Sequence, residues 1–173
     1  VNPLPTAAIA VAETSGTTNN DGILCAGASA TLTASGGGTY AWSTGATTAA
    51  ISVNTAGTYT VMVTLAGCTA STSTIITVNP LPTAAIAVAE TSGTTNNDGI
   101  LCAGASATLT ASGGGTYAWS TGATTAAISV NTAGTYTVTV TLAGCTASTS
   151  TIITVNPAPT AAIAVAETSG TTN

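Results

Sequence analysis

The chain has 173 residues and a net charge of −5, with five acidic side chains and no Lys, Arg, His or Phe. Because it carries no cationic side chain, it offers no electrostatic surface for nucleic acid or anionic lipid, and nucleic-acid binding is excluded. No apolar run approaches the roughly 18 residues that a membrane helix needs, so we expect no membrane insertion.

The dominant feature is an internal repeat of 77 residues. Residues 1–77 recur almost unchanged as 78–154, and a further copy begins at residue 155. Self-similarity at a fixed period indicates one folding unit copied in tandem. We therefore predict repeat 1 over 1–77, repeat 2 over 78–154 and the start of a truncated third repeat over 155–173. No leader precedes Val1, and a chain that begins within such an array is expected to be part of a longer polypeptide.

The copies differ at two aligned positions. Met62 corresponds to Thr139, while Leu4 and Leu81 correspond to Ala158. In a core, a Met-to-Thr exchange would leave a cavity and an unsatisfied hydroxyl group. Position 62 is therefore predicted to be exposed or only partly covered.

Each repeat opens with the segment V-N-P-x-P, which contains Pro3 and Pro5 in the first copy. Two prolines restrict the backbone to extended forms and predict a short, stiff linker. Alternating apolar residues predict a first strand over 6–12. The stretch 13–27 is rich in Thr, Asn, Asp and Gly, and it is predicted to be a long loop.

The rest of each repeat predicts strands at short intervals, separated by Gly- and Asn-containing turns. In repeat 1 these strands are predicted over 29–35, 39–43, 48–53, 58–65 and 69–78. Alternation places Trp42 and Tyr59 in the core, together with their copies Trp119 and Tyr136. Six or seven short strands at this spacing predict an all-β fold, a two-sheet antiparallel β-sandwich in each repeat.

Each full repeat contains two cysteines, Cys25 with Cys68 and Cys102 with Cys145. With no C-x-x-C pair and no His, they do not form a zinc motif. A 77-residue sandwich has a modest core, and small extracellular domains commonly add a disulfide. We predict the bridges Cys25–Cys68 and Cys102–Cys145. Two buried free thiols per repeat, or a Cys68–Cys102 bridge across the linker, are the alternatives.

The acidic residues of the long loop are candidate calcium ligands. Thr17, Asn19, Asp21 and Gly22 have the spacing of the first half of a calcium loop, although Ala28 occupies the position of the usual bidentate glutamate. The full candidate set is Glu13, Asn19, Asp21, Glu90, Asn96 and Asp98. A polar Asn-Asp-Gly turn with solvated acids is the alternative, and no other cofactor is expected.

Catalysis has few suitable groups in this sequence. Each repeat lacks His and Lys, and its only carboxylate pair is Glu13 with Asp21 or the equivalent pair. We therefore expect no enzyme activity. Carbohydrate binding would need an exposed aromatic platform, whereas alternation places the Trp and Tyr side chains inward. The Thr-rich outer faces are candidate sites of O-linked glycans, and no N-x-Ser/Thr sequon occurs.

Three segments carry a resemblance to a known family. They are T-Y-A-W-S-T-G at 39–45, T-A-G-T-Y-T-V at 55–61 and G-C-T at 67–69. Together they resemble the immunoglobulin-like repeats of giant bacterial cell-surface and gliding-type adhesins. The resemblance implies that Trp42 is the core tryptophan of such a sandwich and that Tyr59 forms a tyrosine corner. Antibody-type domains carry a cysteine two residues after that tyrosine, where this chain has Val61.

These observations predict a structural function. We expect tandem immunoglobulin-like domains that give length, stiffness and protease resistance to an extracellular bacterial fibre, filament or adhesin stalk at the cell surface. The expected partners are other copies of the repeat, and the apolar segment 160–166 is expected to pair with another copy. The alternative is an adhesive module that binds a glycan or a protein through its loops.

Overall fold

The computed structural model describes residues 2–16, 18, 20–92 and 97–165, in which all regular secondary structure is β-strand. The strands of the first copy are β1 (Ala8–Glu13), β2 (Ile23–Cys25), β3 (Ala30–Ser35), β4 (Thr39–Trp42), β5 (Ala50–Val53), β6 (Gly57–Leu65) and β7 (Cys68–Asn79). Those of the second copy are β8 (Ala85–Glu90), β9 (Ile100–Cys102), β10 (Ala107–Ser112), β11 (Thr116–Trp119), β12 (Ala127–Val130), β13 (Gly134–Leu142) and β14 (Cys145–Asn156). None of the described residues forms a helix that is long and apolar enough to cross a bilayer.

Each copy folds into two sheets, one with the strand order β1-β3-β5 and the other with the order β2-β7-β6-β4. The second copy repeats this arrangement as β8-β10-β12 and β9-β14-β13-β11. Leu32 from the first sheet packs against Trp42 and Val61 from the second, and the three are buried in one core cluster. The apolar inner faces of the two sheets therefore form the core of a β-sandwich.

The strand order is that of an immunoglobulin-like sandwich. β1, β3 and β5 correspond to strands A, B and E of that fold, and β4, β6 and β7 correspond to C, F and G. β2 adds a strand parallel to β7, whereas residues 43–49 form turns where constant-type domains have a strand D. The hydroxyl of Tyr59, near the start of β6, donates a hydrogen bond to the Thr55 carbonyl at 3.0 Å, which is the geometry of a tyrosine corner.

The predicted core residues lie in the core. Trp42 is 4% exposed, and its indole nitrogen donates a hydrogen bond to the Thr48 carbonyl at 2.9 Å, which holds the turn after β4. Tyr59 is also buried, as are the corresponding side chains of the second copy, Trp119 and Tyr136. Burying the indole with its N–H bonded avoids the cost of an unsatisfied donor.

Position 62 is on the outer face, as the difference between the copies predicted. Met62 is 45% exposed. Its counterpart Thr139 shares a hydrogen bond of 2.9 Å with Ser148, its cross-strand partner on β14. Because both side chains project away from the core, the exchange leaves no cavity.

Two predicted elements differ from the structure. The stretch 13–27 is not entirely loop, because it contains β2 and the last residue of β1. The strand predicted over 160–166 is absent from its described part, 160–165, and Ala166 lies outside the described residues. A strand needs a partner for its backbone groups, and here no neighbouring strand pairs with residues 160–165.

Candidate functional site at the joint between the repeats

The loop after β1 is shaped to place β2 against β7. The Glu13 carboxylate accepts the backbone N–H groups of Gly22 at 2.6 Å and Asn20 at 3.0 Å. Gly22 has a φ of +77°, and a Cβ there would overlap the carbonyl oxygen of Ile75. Its own carbonyl accepts the N–H of Thr77 at 2.8 Å. The close approach requires glycine and fixes the start of β2 on the neighbouring strand.

β2 pairs with the last residues of β7, so that Cys25 lies opposite Asn79. The N–H of Ala26 donates to the Asn79 carbonyl at 2.8 Å. Cys25 is therefore placed where the first copy ends and the linker to the second begins.

Cys145 lies directly after a two-residue hairpin turn. Leu142 pairs with Cys145, and the residues between them, Ala143 and Gly144, have φ values of 49° and 79°. Two consecutive positive φ angles indicate a type I′ turn, whose twist suits a β-hairpin. The turn carries Cys145 at the start of β14 and leaves the Ala143 carbonyl free to accept a hydrogen bond.

The two copies meet at these elements. Cys25 and Cys145 form a disulfide with a Cα–Cα distance of 5.5 Å, and both residues are buried. The side-chain amide of Asn79 donates to the Ala143 carbonyl at 3.0 Å. We call this contact, formed by Cys25, Asn79, Ala143, Gly144 and Cys145, the closed joint.

The predicted pairing of Cys25 with Cys68 is therefore wrong, and so is that of Cys102 with Cys145. Cys68 begins β7, whereas Cys25 lies opposite Asn79 at the other end of that strand. At about 3.3 Å per residue the strand separates these positions by roughly 35 Å, while disulfide-bonded Cα atoms lie no more than about 7 Å apart. An intra-repeat bridge is impossible in this fold.

The two alternatives that the sequence left open are also wrong. A Cys68–Cys102 bridge would have to join opposite ends of the two-repeat unit, since Cys102 lies opposite Asn156 at the far end of β14. Both cysteines are instead free thiols, with Cys68 half-buried and Cys102 exposed. The alternative of two buried free thiols in each repeat is also wrong, because one cysteine of each repeat is oxidised.

The candidate calcium ligands bind backbone amides. Glu13 holds the N–H groups described above, and Asp21 accepts the N–H of Ile23 at 2.9 Å. In the second copy, Glu90 accepts the N–H of Gly99 and Asp98 accepts that of Ile100.

The described residues contain no group of three His, Cys, Asp or Glu side chains that could hold a metal. The remaining candidates, Asn19 and Asn96, lie outside the described residues, and calcium binding stays a prediction.

A cleft of about 520 Å³ lies beside the closed joint. Its lining includes Thr14, Ser15, Gly27, Leu81 and Thr146. The Thr and Ser side chains supply hydroxyl groups, and Leu81 supplies an apolar group.

Sequence reasoning missed Asn79, Ala143 and Gly144 as joint residues. The Ala-Gly pair between two strand patterns is a turn signal, and it could have placed Cys145 at a hairpin tip. No comparable signal connects Asn79 to that tip, because their contact joins different copies.

No known family model and no curated protein sequence matches this chain. Among solved structures, the chain is similar to the titin domains Z1Z2 in complex with telethonin, with 12% identity, a TM-score of 0.30, and coverage of 89% of this chain and 100% of that chain. It is also similar to the N-terminal four Ig domains of Dscam1 isoform 6.9, with 16% identity, a TM-score of 0.31, and coverage of 83% of this chain and 46% of that chain.

Proposed function

We propose that this chain is a tension-bearing structural segment of an extracellular bacterial fibre or adhesin stalk. The observation that carries the proposal is the Cys25–Cys145 disulfide, which links one copy covalently to the next. A module that only displays its loops has no need of such a link. A segment that transmits force along its length gains stiffness from it.

The disulfide changes which part of the chain can be pulled out. Residues 26–144 lie in a closed covalent loop, so pulling on the two chain ends cannot extend them while the bridge is intact. The bridged residues are 120 apart in sequence. At about 3.5 Å per extended residue, the loop withholds roughly 400 Å of extension.

The same bond supports an oxidising location. Structural disulfides persist outside the cytosol, and the absence of Lys and Arg removes every cleavage site for trypsin-like proteases. The alternating exposed Ser and Thr of β7 form a surface that could carry O-linked glycans. These features suit a fibre that faces the environment.

Single-molecule stretching tests the proposal. A chain held at its two ends should extend about 400 Å further after reduction than before it, because reduction opens the loop. The Cys25→Ser/Cys145→Ser variant should behave as reduced chain under all conditions. The matched Cys68→Ser/Cys102→Ser variant should behave as oxidised wild type. Equal extension of oxidised and reduced wild type would contradict the function.

Binding of a glycan or protein through the loops is the second candidate, and the cleft beside the closed joint is the observation that favours it. Its volume is within the usual range for small-molecule sites. The cleft lining contains no aromatic side chain, however, so a sugar would lack a stacking platform. Saturable binding of a glycan, lost on substitution of Thr14, would favour this candidate.

A further inference from the structure

One long strand in each copy has an unpaired backbone edge. β7 contains 12 residues, but β2 pairs with its last residues alone, Thr77, Val78 and Asn79. The other neighbour of β7 is β6, which lies on the opposite side. We call residues 69–75 of β7, and the equivalent residues 146–152 of β14, the open edge.

Alternate residues of β7 direct their backbone groups toward the open edge. The N–H of Thr77 donates to the carbonyl of Gly22, the residue just before β2, so the backbone groups of Thr77 face the β2 side. Because this direction alternates along a strand, every second residue before Thr77 faces the same side. No backbone hydrogen bond joins the N–H groups of these residues to another described residue. The free donors belong to Thr69, Ser71 and Ser73.

Adjacent copies do not close the open edge. The open edge of β14 is observed with a copy before it, and that of β7 is observed with a copy after it. Neither strand pairs with a strand of the other copy. Since 69–75 and 146–152 have the same sequence, a repeat that is flanked on both sides would have the same open edge.

The open edge lacks the features that usually protect edge strands. Natural sheets protect their edges with short strands, charged side chains, Pro or bulges. Among the other edge strands of the first copy, β4 and β5 have four residues each, while β1 ends at Glu13 and is preceded by Pro5. β7 is longer, pairs with β6 without a bulge, and contains no charged residue and no Pro. It is therefore a suitable template for another strand.

The outer face beside the open edge carries paired hydroxyl groups. In the second copy, Thr137 shares a hydrogen bond of 2.9 Å with Ser150, and Thr139 shares one of the same length with Ser148. Both serines are exposed and lie on the strand that has the open edge. A further strand with Ser or Thr at the matching positions would extend both rows, because cross-strand hydroxyl pairs stabilise a sheet. The open edge of another chain is such a strand.

We propose that the open edge of one chain pairs antiparallel with the open edge of a second copy of this chain, so that their sheets join into one. The pairing is centred on Thr72, the midpoint of the open edge. Ser71 of one chain then lies opposite Ser73 of the other, and Thr69 lies opposite Ile75. Ile75 is 66% exposed in the single chain, and the pairing covers part of this apolar surface. Addition of a strand to an exposed sheet edge is an established mode of recognition.

Charge favours the antiparallel arrangement. The exposed Asp21 precedes Gly22, which lies against the Ile75 carbonyl at one end of the open edge. Antiparallel pairing places the two Asp21 side chains at opposite ends of the contact. Parallel pairing in register would place them at the same end, and the chain has no cationic side chain to compensate.

The contact associates chains side by side. It is isologous, because each chain contributes the same residues. An array presents one open edge in every repeat, so a contact that is weak for one repeat is strengthened where several repeats of the same two chains pair. The pairing uses no cysteine and goes beyond the tension-bearing function proposed above, since it does not depend on the Cys25–Cys145 bridge.

Two matched variants test the backbone contact. Both are made in the Cys68→Ser/Cys102→Ser chain, called the parent chain, so that oxidation of free thiols cannot link molecules. Ser73→Pro/Ser150→Pro removes one N–H from the open edge of each copy, and edge strands tolerate Pro where the N–H faces solvent. Ser73→Ala/Ser150→Ala keeps these N–H groups and removes only the hydroxyls.

Sedimentation equilibrium of the oxidised chains measures the association. The parent chain should form reversible dimers. The proline variant should lower the association constant by about tenfold or more, because each contact loses one hydrogen bond from each chain, whereas the alanine variant should lower it by less than about threefold. Equal association of the parent chain and the proline variant would overturn the proposal. A parent chain that stays monomeric would also overturn it, and would leave the open edge to an extended segment of a different protein.

Cross-linking tests the register and needs no proline, so it decides the proposal even where the proline variant does not fold. Ser71→Cys/Ser148→Cys and Ser73→Cys/Ser150→Cys are made separately in the parent chain and oxidised alone or mixed. The mixture should form disulfide-linked dimers, because opposite residues of a hydrogen-bonded antiparallel pair have Cα atoms about 5.5 Å apart. Each variant alone should form few, since identical positions lie more than about 7 Å apart in this register. Equal yields from the mixture and from the variants alone would refute the antiparallel pairing.

Discussion

Cys25 and Cys102 occupy equivalent positions in two almost identical repeats, yet one is buried in a disulfide and the other is an exposed thiol. Their own strands do not cause the difference, because β2 and β9 pair with β7 and β14 in the same register. The difference comes from the neighbouring copy, whose hairpin turn brings Cys145 to Cys25. Each copy thus carries one cysteine at the end of a short parallel strand and one directly after a hairpin turn, and the bridge joins the first cysteine of one copy to the second cysteine of the next.

Removing the disulfide should give the largest difference between the closed joint and the two free cysteines, Cys68 and Cys102. We expect Cys25→Ala/Cys145→Ala to lower the free energy of unfolding by about 3 to 5 kcal/mol, because the bridge closes a long loop in the unfolded chain. Cys68→Ala/Cys102→Ala should change it by no more than about 0.5 kcal/mol. Urea unfolding followed by tryptophan fluorescence measures both. Similar losses in the two double variants would contradict the assignment of the joint.

Replacing the equivalent glycines Gly22 and Gly99 should distinguish a loss of stability within one copy from a loss of the closed joint. In Gly22→Ala and Gly99→Ala, the new Cβ would overlap the carbonyl oxygen of Ile75 or Ile152, and we expect each to cost about 1 to 3 kcal/mol. Only Gly22 lies beside the closed joint, so only its replacement displaces Cys25.

Thiol titration of the folded, oxidised protein distinguishes the two glycine variants. Wild type and Gly99→Ala should each show two free thiols, Cys68 and Cys102. Gly22→Ala should approach the full four cysteines of the chain. A titre of two free thiols in both variants would show that β2 does not position the bridge.

The smallest expected difference concerns the linker asparagines. Asn79→Ala removes the side-chain hydrogen bond to Ala143 in the closed joint and should cost about 1 kcal/mol. Asn2→Ala removes the equivalent bond to the Ala66 carbonyl, which is longer at 3.2 Å, and should cost less than about 0.5 kcal/mol. Thermal melting should show a drop of about 2 to 4 °C for the first variant only. A larger drop for Asn2→Ala would reverse the expected order.

Much of the fold could be predicted from local patterns. Alternation along 58–65 predicted β6 to within one residue and placed Tyr59 inward, and the pattern over 39–43 placed Trp42 inward. The sequence did not predict β2, because its three residues are too few to show alternation within a stretch rich in turn-forming residues. Its place depends on Glu13 and Gly22, which contact backbone groups distant in sequence. The candidate site was missed for the same reason.

The repeat period, the alternation of apolar and small residues and the cysteine count are properties of the sequence, and they were sufficient to predict tandem β-sandwiches that contain a disulfide. The partner of each cysteine was decided by the tertiary structure. Both copies carry the same cysteines at the same spacing, so the sequence cannot distinguish Cys68 from Cys145 as the partner of Cys25. The fold distinguishes them by distance, because β7 separates the two cysteines of one repeat by its full length, while the turn before β14 brings Cys145 to the end of β2.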